Sequence, residues 1–239
     1  MAHTRTASRP HGDRPAGEFA SEAVEDYLKA IYALDGSRTR VSTSALASRL
    51  GVAPSTVTAM AKRLDELGLV GYVPYKGMTL TDTGCRAALE MVRHHRLLEA
   101  FLADALDMPW DQVHDEAEVL EHYISEELEQ RIAAKLGDPA ADPHGDPIPI
   151  ARLELASDET VPLAQLDAGR PARFARVSDS DPEMLRYLGE RGIGPGAELT
   201  IIRREPFEGP LFVDVGGAEH VLGAKLAAAI RVVPGKGRP

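Results

Sequence analysis

The stretch HDEAEVLEH, residues 114 to 122, places Glu118 four residues after His114, and Glu121 and His122 three and four residues further on. At about 100° per helical residue the four side chains fall within an arc of roughly 100°. Val113, Ala117, Leu120 and Ile124 form an apolar stripe beside them. Neutral imidazole and carboxylate are nitrogen and oxygen ligands that divalent first-row metals accept, so this face suits metal coordination. A solvated acidic face is the competing reading.

Charge is unevenly distributed around this stretch. The chain of 239 residues has a formal net charge of −10, yet residues 21–98 carry ten Lys/Arg against eight Asp/Glu, and residues 99–150 carry two against fourteen. The first segment is therefore suited to approach phosphates, and the second repels them and attracts cations. With 44% apolar residues and this length, more than one domain is expected. No run of about 18 apolar residues occurs, so no membrane span is expected. Residues 1–20 lack the apolar run of a secretion signal and are expected to form a basic, Pro/Gly-rich disordered tail. A single cysteine, Cys85, excludes an intrachain disulfide and fits a cytoplasmic protein. In TDTGCRAAL, Cys85 reads as a small helix residue and not as a ligand or nucleophile.

The elements that must position these groups follow from periodicity and punctuation. Ser21 is placed to cap a helix in which Val24, Tyr27, Leu28, Ile31 and Leu34 recur at helical spacing, with Gly36 beyond it. A short helix over about 43–50 meets Gly51, and a second helix starts near Pro54 with Val57, Ala61, Leu64 and Leu67 on its buried side. This is the outline of a helix-turn-helix, and the β-rich runs about Lys76–Gly77 add a wing. Thr81 or Asp82 caps a long helix to about Leu106 that carries His95 and Glu99 one turn apart. After the 114–122 helix comes another, stopped by Gly137, and then the loop DPAADPHGDPIP. From about residue 165 short β-rich runs describe a small SH3-like barrel, interrupted by a helix that Asp181 caps and Pro182 opens. The expected fold is mainly α with a small β domain: winged helix-turn-helix over 21–92, helical metal-binding and dimerisation domain over 93–150, linker over 151–164 and SH3-like domain over 165–235.

This order resembles the diphtheria toxin repressor family of metal-dependent transcriptional repressors. The resemblance runs from about Ala23 to Val233 and rests on EDYLKAIYAL, RHHRLLEAFL, VHDEAEVLEH, DPHGDPIP and DPEMLRYL. It implies a cytoplasmic homodimer that binds double-stranded operator DNA and is not an enzyme. It also implies a primary metal site of Asp26, Glu118, Glu121 and His122, with His95 joining or abutting it. The iron-responsive branch has Met and Cys where this chain has Asp26 and Glu118, whereas the manganese-responsive branch has Asp and Glu. Hard carboxylate oxygens suit Mn(II), with Fe(II) the alternative and Co(II) or Zn(II) expected to bind in vitro.

A second site admits two layouts. Glu99, Asp142, His144 and Asp179 resemble the secondary site of three-domain manganese regulators, whereas His114 with His95 and Glu99 resembles the ancillary site of the iron branch. The sequence does not choose between them. Lys29 stands where some manganese-responsive members have a Glu supporting a closely spaced ion pair, which disfavours a paired-ion site here. For DNA, Ser55, Thr56, Thr58 and Ala59 are expected to read base edges, and Lys62, Arg63 and Lys76 to touch phosphates. Three rivals remain, one of them a purely structural interaction module, which would leave the recognition helix idle. A di-iron oxidase would need two Glu-x-x-His pairs, which are not found, and a metal-independent winged-helix regulator would bind DNA regardless of chelators.

Overall fold

The computed structural model describes residues 21–155, 158–207 and 209–235. The tail expected over residues 1–20 lies outside them. The chain divides into two compact units, one ending at Ala88 and the other beginning at Leu89.

The first unit opens with α1 (Glu22–Ala33), which buries Val24, Leu28 and Ile31. Ser21 precedes it with extended backbone, but its hydroxyl makes no capping bond and is buried with no hydrogen-bond partner among the described residues. The next helix, α2 (Thr43–Leu50), has the cap that α1 lacks, since Ser42 Oγ accepts from Ala45 N at 3.1 Å. Gly51 follows at φ 64°, the left-handed conformation that turns the chain into α3 (Pro54–Glu66). Val57, Ala61 and Leu64 of α3 are fully buried. Two antiparallel strands complete the wing, β1 (Val70–Val73) and β2 (Gly77–Leu80), with Val70 opposite Leu80 and Val73 opposite Gly77. The core of the unit joins Leu28, Ile31, Leu46, Leu64, Leu69 and Met78.

Helix α4 (Asp82–Leu106) begins in this unit, where Thr81 Oγ1 accepts from Gly84 N at 3.1 Å. From Leu89 onward it belongs to the second unit, together with α5 (Val113–Leu120) and α6 (Glu126–Leu136). Leu97, Val113, Ala117, Ile124 and Ile132 are buried among these helices. The expected apolar stripe is thus realised except at Leu120, which is 40% exposed. Ser125 caps α6 and Gly137, at φ 75°, ends it.

The β part of the second unit is one antiparallel sheet. Its strands are β3 (Val161–Pro162), β4 (Pro171–Arg176), β5 (Glu198–Arg204), β6 (Leu211–Val215), β7 (Ala218–Leu222) and β8 (Arg231–Pro234), in the order β3-β8-β4-β5-β6-β7. Strand β3 falls in the stretch expected as linker. It pairs with β8, and Leu163 directly after it is fully buried. Helix α7 (Pro182–Gly189) adds Leu185 and Leu188 to the core of Phe174, Ile201 and Val213, and a short α8 (Ala224–Ala229) precedes β8. Asp181 caps α7 as its sequence implies, accepting from Met184 N at 3.2 Å.

Candidate metal centre

In the second unit, α4 and α5 bring histidines and carboxylates together. His95, on the buried side of α4, is held from both ring nitrogens. Its Nδ1 lies 2.5 Å from Glu121 Oε2, and its Nε2 lies 3.1 Å from Glu99 Oε1 and 3.2 Å from His114 Nδ1. Glu118 Oε1 stands 3.9 Å from His95 Nδ1 and the same distance from His114 Nε2. His122 Nε2 is 3.9 Å from Glu121 Oε1.

These residues do not all share one helix. His114 and Glu118 lie on α5, Glu121 is its C-cap and His122 lies in the turn beyond. Glu121 N still bonds Ala117 O at 2.9 Å, so Glu121 keeps a helical position, and the chain then turns to bury Ile124 before Ser125 starts α6.

Glu99, with no exposed surface, faces two groups with its two oxygens. Oε1 faces His95 and His114, and His114 Nδ1 also lies 3.2 Å from Asp179 Oδ2. Oε2 faces His144 Nδ1 at 3.7 Å, and Asp142 completes that cluster. Glu99 thus belongs to both clusters through different oxygens, but Asp179, expected beside Asp142 and His144, lies instead with His95, Glu99 and His114.

The loop from 142 to 147 is held by specific contacts. Asp142 Oδ1 accepts from His144 N at 2.8 Å and from Asp146 N at 3.0 Å. Arg96 donates to Pro147 O at 2.6 Å. Gly145 takes φ 89°, and a Cβ there would stand 2.0 Å from Ala175 O, so the loop lies against β4 only because this residue has no side chain.

The charges are arranged for a cation. Burial alone would push Glu99 up, yet the imidazoles of His114, His144 and His95 facing its two oxygens hold it below the usual carboxylate range. His114 is pushed up to about 10 by hydrogen bonds to Asp179 and Glu99. Asp142 is pushed up to about 7 by burial and by the neighbouring charges of Glu99 and Asp146. Two buried atoms of this site, Glu99 Oε2 and His144 Nδ1, have no hydrogen-bond partner among the described residues. His144 Nε2 donates to Trp110 O at 2.7 Å, which leaves Nδ1 turned toward the Glu99 carboxylate; burial pulls this imidazole down, but Glu99 and Asp142 outweigh it and push it up to about 9. A divalent ion replacing the Nδ1 proton would be held by an imidazole nitrogen and buried carboxylates together, so the donor set fits a divalent metal. Trp110 and Arg96 position this site, and neither carries a motif that marks it in the sequence.

The remaining candidates lie in the first unit. Asp26 is on α1. Ser55, Thr56, Ala59, Lys62 and Arg63 are exposed on α3, and Thr58, half-buried, donates its hydroxyl to Pro54 O at 2.9 Å. Lys76 is exposed in the turn between β1 and β2. Cys85 is half-buried on α4, and burial, followed by the charge of Asp82, pushes its thiol up.

Comparison with known proteins accounts for this arrangement of parts. Residues 20–78 match the N-terminal DNA binding domain of the iron dependent repressors, residues 81–150 their metal binding and dimerisation domain, and residues 161–234 the FeoA domain. The iron-dependent repressor IdeR of Mycobacterium tuberculosis is 30% identical over 223 residues, covering 88% of this chain and 96% of its own. The chain belongs to the diphtheria toxin repressor family. This repressor is also 30% identical to the diphtheria toxin repressor of Corynebacterium diphtheriae over 221 residues, 88% of this chain and 96% of that one. Among solved structures, a manganese-dependent transcriptional repressor in complex with manganese is 46% identical with a TM-score of 0.81, covering 88% of this chain and 99% of its own. A structure of ScaR with bound Zn2+ is 32% identical with a TM-score of 0.73, covering 89% and 99%. The repressor is thus a metal-dependent DNA-binding transcriptional regulator, and the family is not one of enzymes, which removes the di-iron oxidase reading. No helix among the described residues is long and apolar enough to cross a membrane.

Proposed function

We propose that this repressor responds to Mn(II), binding operator DNA as a homodimer when metal is present, and that it controls genes of metal-ion homeostasis. The observation that carries the metal preference is the donor set. All the candidate ligands offer oxygen or nitrogen, and the single cysteine belongs to the first turn of α4, away from these clusters in sequence. Hard carboxylates suit Mn(II), which stands at the weak end of the Irving–Williams order and must be selected by geometry and availability. The manganese-bound structure at 46% identity supports the same reading. Iron-dependent relatives at 30% identity keep Fe(II) as the second reading.

In this proposal Asp26 of the first unit joins Glu118, Glu121, His122 and His95 of the second in the primary site. A bound divalent ion supplies the positive charge that lets these carboxylates converge. Glu99, His114, Asp142, His144 and Asp179 form the secondary site. Ser55, Thr56, Thr58 and Ala59 read bases, with Thr58 acting as an acceptor because its proton is already committed to Pro54 O. Lys62 and Lys76 contact phosphates. Val119, Leu120 and Leu128 are exposed apolar side chains in the region matching a dimerisation domain, which supports a second copy of the chain as their partner.

The test is binding of chelator-stripped protein to its own promoter DNA, titrated with Mn(II), anaerobic Fe(II) and Zn(II). Binding that appears only with metal, and with Mn(II) at micromolar levels, is expected. Equal binding by the stripped protein would overturn the proposal, and a response to Fe(II) but not Mn(II) would replace the metal.

A further inference from the structure

A third group of donors lies between α4 and α6, outside the clusters built on His95 and Glu99. Glu90 and His94 are one turn apart on α4, and Glu126 is the first residue of α6. One carboxylate oxygen from each glutamate and a ring nitrogen of His94 lie within 4.8 Å of one another.

His94 supplies the second observation. The residue is only 5% exposed, and its Nε2 is engaged by Glu129 Oε2 at 3.2 Å. Glu129 is itself fixed by Arg93, whose Nε donates to Glu129 Oε1 at 2.6 Å and whose Nη1 donates to Pro149 O at 2.5 Å. The nitrogen left over, His94 Nδ1, is buried with no hydrogen-bond partner among the described residues. A histidine whose Nε2 is held by a carboxylate, and whose other nitrogen is buried without a hydrogen-bond partner among the described residues, is oriented as metal-ligating histidines are. A packing histidine would bury a saturated ring, because an orphaned polar nitrogen costs free energy.

We propose that Glu90, His94 and Glu126 form a further site for a divalent first-row transition ion, taken through one imidazole nitrogen and two carboxylates and linking α4 to α6. Glu129 and Arg93 are its positioning residues. Glu126 is exposed, so water completes the coordination shell and the ion enters from solvent. Without an ion the Glu90 carboxyl retains a proton in part near neutral pH. Burial and the hydrogen bond with Glu126 push Glu90 up to about 7, and an ion would replace that proton. The site's ligand types do not distinguish Mn(II) from Zn(II) or Co(II), and Co(II) serves as the probe because its visible spectrum reports nitrogen and oxygen ligation.

The experiment counts Co(II) bound per chain in the chelator-stripped full chain, in Glu126→Gln, in Glu90→Gln and in His122→Ala. The neutral amides keep the shape of the glutamates, and Glu126, being exposed, leaves the fold intact, which circular dichroism checks. The wild type is expected to bind one equivalent more than either amide variant, with a matching loss of visible absorption. His122→Ala is expected to retain that equivalent. Equal stoichiometry and spectra in the wild type and whichever amide variant remains folded would overturn the site. Because the count is made without DNA, a failure of the operator-binding proposal would not be mistaken for a failure of this one.

Discussion

Glu99 has three imidazoles within about a hydrogen bond's reach or little more, and its charge dictates which of them hold protons. His114, held by Asp179 and Glu99, is pushed up to about 10 and is therefore protonated at neutral pH in the metal-free protein. A metal needs that lone pair, so binding at pH 7 must expel the proton. Calorimetry of Mn(II) binding in buffers of different ionisation heat is expected to show release of about one proton or more per ion, with affinity rising with pH toward 10. Binding without proton release would contradict this assignment. The sign for stability is opposite. A histidine raised above its unfolded value of about 6.5 stabilises the metal-free fold fully below that pH, and the contribution is lost as pH rises through about 10. The residue types of this cluster were legible in the sequence, as was the choice of oxygen over sulfur. The sharing of Glu99 was not, because it depends on which oxygen faces which loop, and that is set by contacts such as His144 to Trp110 O that no local pattern encodes.

At the scale of elements, punctuation was the most readable feature. Gly51, Gly137 and the Asp181–Pro182 pair each act where their backbone chemistry places them. Gly51 is a useful test because a Cβ there would meet nothing within 4 Å, so a substitution probes backbone conformation alone. Gly51→Ala is expected to destabilise the protein by about 1–2 kcal/mol, the cost of a left-handed L-residue. Urea denaturation measures it, and an unchanged midpoint would show that the turn tolerates a side chain. Other boundaries were hidden for identifiable reasons. Helix α5 ends at Leu120 although no glycine or proline follows, because burying Ile124 and capping α6 with Ser125 outweighs further helix. Ser21 has the right type for a cap but its hydroxyl makes no hydrogen bond among the described residues. The pairing of Val161–Pro162 with β8 joins residues some seventy positions apart, a contact that two residues of strand cannot announce.

For the whole molecule, the charge asymmetry has a direct consequence. The segment through residue 98 is near neutral to basic and carries the exposed face of α3, and the acidic segment that follows supplies most of the clustered carboxylates. DNA binding and metal sensing therefore belong to different units, and some group must couple them. In the proposed account that group is Asp26, the one primary ligand contributed by the first unit. An ion shifts the binding-competent population only by its differential affinity for the two states, so removing one anchor should reduce coupling without unfolding either unit. The decisive measurement is operator binding by Asp26→Ala, with and without saturating Mn(II), on protein shown by circular dichroism and sedimentation to remain folded and associated as the parent is. The Mn(II)-induced gain in affinity is expected to fall by roughly 5- to 150-fold, the span of ordinary coupling free energies. Operator affinity and manganese response equal to those of the parent protein would contradict the clamp.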